Sequence, residues 1–135
     1  MFDINVLLDV FLMRQPHYPA SARVVSMVAS GAIDGIVASH GITTLYYIAR
    51  REGDRQTAED GVDQVVQHCR IVSLDNAEWR RARALQFNDF EDAAVASIAD
   101  DNGCDWIITR NTADFAGSSV PAITPADFLS LLPAP

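Results

Sequence analysis

Carboxylates grouped at three separated points of the chain are the residues best suited to chemistry: Asp3 with Asn5, Asp89 with Glu91 and Asp92, and Asp114 with Asn111. Each group sits at a seam between an apolar run and a polar break, where an α/β fold places residues at the carboxyl ends of its strands. Gathered there, the acids would repel one another unless something neutral or positive lay between them. A hard divalent cation meets that need, because Mg²⁺ or Mn²⁺ takes oxygen ligands and keeps part of its water shell.

Each group also has an ordinary structural reading. Asp3 could belong to a frayed amino terminus, and Asn5 could hold a turn by its side-chain amide. Asp89 followed by Asp92 resembles a helix N-cap with acids in the first turn, although three carboxylates in four positions exceed what one cap requires. The stretch from Thr109 to Phe115 could be a solvated turn with Asx hydrogen bonds. On the chemical reading, Asp3, Asp92 and Asp114 are the carboxylates expected to carry function, with Asp89 and Asn111 beside them as further candidate oxygen ligands. Asn5, Thr109 and Arg110 then stand on the substrate side, Arg110 serving equally well as a surface arginine.

The elements that would position these groups alternate along the chain. Short apolar strands are expected over 35–39, 70–74, 105–109 and 121–124, with helices over 17–31, 43–52, 57–69, 76–87, 91–102 and 125–132; over Phe2 to Met13 periodicity leaves strand and short helix open, a strand ending at Asp3 with a helical turn from Asn5 being one solution. Such alternation implies parallel pairing and a three-layer α/β/α sandwich with a mostly parallel sheet. Residues 1–135 read as one domain, large enough for a core of its own. The first strand is cut short by the start of the chain, so it is either stunted or preceded by an upstream start codon.

Composition excludes several classes. All ten cationic residues are arginine, which removes Walker-A phosphate binding, Schiff-base catalysis and a lysine general base. A net charge of −8 argues against broad electrostatic attraction to nucleic acid, so any RNA work must rest on local arginines, metal ions or a basic partner. Arg50-Arg51 with Arg55, and Arg80-Arg81 with Arg83, are basic clusters that could guide a strand or simply be solvated helix faces. No apolar stretch reaches the ~20 residues of a membrane span, and the start lacks a basic signal region, so a cytoplasmic protein is expected. Cys69 and Cys104 read as buried thiols without metal spacing, and the scattered histidines 17, 40 and 68 argue against zinc.

Taken together, these motifs resemble the PIN domain family of metal-dependent ribonucleases, which includes VapC-like toxins of bacterial toxin-antitoxin pairs. The resemblance rests on Asp3-Ile4-Asn5-Val6-Leu7-Leu8-Asp9, on Asp92 in Asp-Ala-Ala-Val-Ala, and on Thr109-Arg110-Asn111-Thr112-Ala113-Asp114-Phe115. Ser39 to Arg51, with Tyr46-Tyr47, is similar to the branch whose second helix carries a tyrosine pair. The resemblance implies one or two Mg²⁺ or Mn²⁺ ions, with Asp3 and Asp92 as direct ligands, Asp114 and Asn111 orienting waters, and Asp89 auxiliary. It implies RNA as substrate, an antitoxin protein as partner and a homodimer. The pattern is departed from at three points: the usual second-helix glutamate is missing where Thr44, Leu45 and Tyr46 stand, Ile4 replaces a common hydroxyl, and Asn111 replaces Asp. A catalytically weakened PIN module that binds RNA or a protein is therefore the alternative.

Overall fold

The computed structural model describes residues 1–134. Seven α-helices are present among them: α1 (Ile4–Phe11), α2 (Tyr18–Ala29), α3 (Ser39–Glu52), α4 (Arg55–His68), α5 (Asn76–Ala84), α6 (Phe90–Asp101) and α7 (Pro125–Ser130). Strands β1 (Ile36–Ala38), β2 (Arg70–Val72), β3 (Ile107–Ile108) and β4 (Ala122–Ile123) alternate with them, and a 3₁₀ turn covers Thr112–Phe115.

All pairing is parallel. In β1 and β2, Val37 lies opposite Ile71, and in β3 and β4, Ile108 lies opposite Ile123. The segment Met1–Asp3 joins the two pairs. Phe2 bridges Ile108 in parallel, its amide donates to the Ile36 carbonyl at 2.9 Å, and the Asp3 amide donates to the Ile108 carbonyl at 3.0 Å. The spatial order is thus β2, β1, the Met1–Asp3 segment, β3, β4. Parallel neighbours demand crossover connections, which the helices supply.

The period-two alternation of a strand divides the sheet's side chains between two cores. Phe2, Val37 and Ile108 point into one, packed with Leu7 and Leu8 of α1, Val24 of α2 and Leu45 of α3. Met1, Ile36, Ala38 and Ile107 point into the other, packed with Val95, Ile98 and Ala99 of α6. Helices therefore cover both faces, and the α/β/α sandwich expected from the alternation of elements is the architecture found.

Boundaries differ from expectation where tertiary contacts override local preference. Helix α3 begins at Ser39, not 43, passing through Gly41, whose propensity argues for a break. A Cβ at Gly41 would meet Ile4 Cγ2 at 2.8 Å, so the glycine permits the start of α3 to press against the start of α1. Helix α5 stops at Ala84, not 87, because Gln86 adopts φ 56° and turns the chain away. Cys69 and Cys104, expected to be buried, are half-buried, and burial pushes the Cys69 thiol up.

Candidate active site

Asp3 ends the central segment and caps α1. One carboxylate oxygen accepts the Asn5 amide at 3.3 Å, and the other accepts the Thr109 hydroxyl at 2.9 Å. The Thr109 oxygen in turn accepts the Asn111 amide at 3.1 Å. Thr109 is fully buried and its own amide is tied to the Ile123 carbonyl. It thus ties the loop after β3 to Asp3 from beneath the surface, a position out of reach of a substrate.

Asp89 caps α6, accepting the Glu91 amide at 2.8 Å and the Asp92 amide at 3.4 Å. The cap reading and the pocket reading hold together, for Asp92, in the first turn, faces the same space as Asp3. Asp114 reaches it from the 3₁₀ turn, whose Asp114 amide bonds the Asn111 carbonyl at 3.1 Å. One cavity of about 260 Å³ is lined by Asp3, Asn5, Asp89, Asp92, Asn111 and Asp114, together with Glu91, His40 and Thr44. A broader groove of about 530 Å³ opens from it, sharing Asp89, Asp92 and Asp114 and bounded by Gln86, Phe87 and Gly117.

The electrostatics carry the signature of convergent acids. Desolvation, and then repulsion from Asp89, Asp3, Asp114 and Glu91, pushes the Asp92 carboxyl up from 3.8 to about 7. The first turns of α1, α3 and α6 line the pocket, and their positive ends offset part of that repulsion. His40 is held below the usual imidazole range by burial, against the pull of Glu91.

The donor set is oxygen-rich, as Mg²⁺ or Mn²⁺ requires. Its side chains surround the cavity without closing on one point: among the described residues no three His, Cys, Asp or Glu groups form a cage. A set of this kind can meet a hard cation through one or two carboxylates, with water filling the remaining positions.

Arg110 does not join this set. Its Nε stands 2.8 Å from Oδ2 of fully buried Asp9, with Arg14 Nη1 at 3.6 Å from Oδ1, and Arg110 Nη1 lies 3.3 Å from His17 Nε2. The arginine is thus a clasp between α1 and the loop after β3. Sequence reasoning missed His40, Thr44 and the role of Asp9. His40 could have been found by the same rule that found Asp3, since it follows β1 directly, at a strand's carboxyl end.

Comparisons with known proteins bear on the family and the fold. The PIN domain profile matches residues 1–113, and the chain belongs to the PIN domain family. It is similar to Ribonuclease VapC1 of Aquifex aeolicus (strain VF5), with 27% identity over 131 residues, covering 93% of this chain and 90% of that protein. Its structure is similar to a chain of the Toxin-antitoxin complex from Klebsiella pneumoniae, with TM-score 0.67 and 22% identity over 92% of this chain and 95% of that one. The second likeness speaks to the fold.

Proposed function

We propose that this chain is a divalent-cation-dependent endoribonuclease that hydrolyses RNA phosphodiesters and is the toxin of a toxin-antitoxin pair. The observation that carries the reading is the meeting of Asp3, Asp92 and Asp114, from three distant segments, on one cavity. The likeness to a protein named a ribonuclease and to a chain of a toxin-antitoxin complex supports it.

Bound Mg²⁺ or Mn²⁺ would supply an activated water and neutralise charge at the scissile phosphate. Asp3 and Asp92 are the residues to hold it. Asp114 and Asn111 orient water at the opposite wall, and Asp89 adds charge beside Asp92. Thr109 and the Asn5 amide fix both oxygens of Asp3, so the carboxylate meets a cation without reorganising. Asn5 lines the cavity and is the residue of the three substrate-side expectations that can touch RNA there. No helix among the described residues is long and apolar enough to cross a membrane; action in the cytoplasm, as a homodimer restrained by an antitoxin, is part of the proposal.

The test is cleavage of single-stranded RNA by purified protein with Mg²⁺ or Mn²⁺, and by the Asp92→Asn variant. Metal-dependent cleavage lost in the variant is expected, while cleavage that survives excess chelator rejects the mechanism. Thr44 on the cavity wall, without a carboxylate, favours a second reading, a weakened module that binds RNA or a protein. That module would keep its affinity and show no turnover with either metal.

A further inference from the structure

An aromatic row leads away from the acid cavity. His40 lines that cavity. Trp79 of α5 stands with its ring centroid 5.4 Å from that of His40, and Phe90 follows at 5.6 Å from Trp79. The planes are tilted at 59° and 51°. Phe90 lies in sequence between Asp89 and Glu91, both of which line the cavity, yet its ring is 46% exposed.

Phe90 is thus flanked in sequence by two cavity-lining acids and meets Trp79, yet much of its surface stays open to solvent. Resting on the nuclease reading above, we propose that His40, Trp79 and Phe90 form a stacking platform for the bases of the single-stranded RNA whose phosphate enters the acid cavity, with Phe90 as the terminal face. The argument from charge points the same way. The protein carries a net charge of −8, and five of its ten arginines, Arg14, Arg51, Arg55, Arg81 and Arg110, are engaged by carboxylates. Phosphate attraction is therefore weak, and binding has to draw on the bases.

Stacking on aromatic rings supplies such binding with little sequence preference, because every base has a π-face. The rings of the row lie too close together for a base to enter between them. A base therefore stacks on the open face of Phe90, while the inner end of the row holds its neighbour beside the cavity. The row is continuous with the reacting centre, which selects a substrate strand as occupant over a separate partner.

The experiment uses single-stranded hexaadenylate RNA. Phe90→Leu keeps an apolar side chain and removes the π-face; its KM for hexaadenylate with Mn²⁺ should rise about ten-fold, with kcat within about three-fold, and Phe90→Tyr should restore KM. Binding is read independently of turnover in the Asp92→Asn background with Trp106→Phe, which leaves Trp79 as the sole indole. Hexaadenylate in Mg²⁺ should quench Trp79 emission there, and adding Phe90→Leu should weaken the quench by a similar factor. Quenching without cleavage by the parent protein keeps the platform and discards the nuclease reading. Cleavage with unchanged KM in Phe90→Leu and no quench overturns the platform and leaves the nuclease standing. Loss of a protein partner by Phe90→Leu with RNA affinity intact also overturns it, since the row would then be a protein-docking face.

Discussion

Two aspartates on one helix show opposite ways of keeping a carboxylate inside a protein. Asp9, within α1, is fully buried and answered by Arg110 and Arg14. Burial pushes its carboxyl up, and Arg110, His17 and Arg14 pull it back. Asp3, at the start of the same helix, pairs with no cationic side chain among the described residues; it shares the cavity with Asp92, Asp89 and Asp114, and its hydrogen bonds come from a hydroxyl and an amide. The first site is neutralised by the chain itself and serves architecture. On the proposed reading the second leaves the neutralising charge to a cation, and its uncompensated acids are what support that reading.

The comparison breaks most visibly at its two poles. Asp92→Asn should cut metal-dependent RNA cleavage by roughly a hundred-fold or more while leaving the fold intact by circular dichroism; near-normal cleavage would remove Asp92 from the metal set. Arg110→Ala should leave buried Asp9 with only the more distant Arg14 and lower stability by up to about 3–5 kcal/mol, seen as an earlier urea midpoint. The double change Asp9→Leu with Arg110→Met should recover much of that loss. If it unfolds as readily as the single variant, the pair does more than satisfy buried charge.

Thr109 links the two regions, since it precedes Arg110 and holds Asp3. Thr109→Val keeps the volume and removes the hydroxyl, so apparent Mn²⁺ affinity should fall about ten-fold, with a stability loss of about 1–3 kcal/mol for the orphaned Asn111 amide. Calorimetric titration of the metal would show whether the first effect is absent.

The smallest effect sharpens the contrast. The Asp92 carboxyl is raised from 3.8 to about 7, so between those values the folded state of the metal-free protein holds a proton that the unfolded chain has lost. Stability from this group is therefore present below the lower value and declines as pH rises toward the upper one. Asp92→Asn should flatten that decline and melt slightly higher than the parent at pH 8. A parent whose melting temperature rises over this interval in step with the variant would show that the acids do not strain one another.

The acid positions were legible in sequence because each is a polar residue in a place where apolar periodicity stops, and the parallel sheet followed from strands alternating with helices. Arg110 was not, because its partner Asp9 lies 101 positions away and the pairing exists only once β3 lies beside Met1–Asp3. His40, just past the carboxyl end of β1, was open to the rule that found Asp3, but its contact with Trp79 joins segments far apart in the chain. The early start of α3 depends on the approach of Ile4 to Gly41, a contact that no local propensity encodes. Of the paired tyrosines, Tyr46 packs against the core and Tyr47 is 62% exposed with Arg51 over its ring.

The place of Met1–Asp3 in the middle of the sheet has a consequence for synthesis. This segment is translated long before residues 36 and 108, between which it must be inserted, so its backbone waits unpaired while the ribosome works through most of the reading frame. Asp3 meets Thr109 and Asp114 only when nearly the whole polypeptide has left the exit tunnel. On the proposed reading, a nascent chain of this design gains its acid cavity only after residues 109–114 have emerged to meet Asp3.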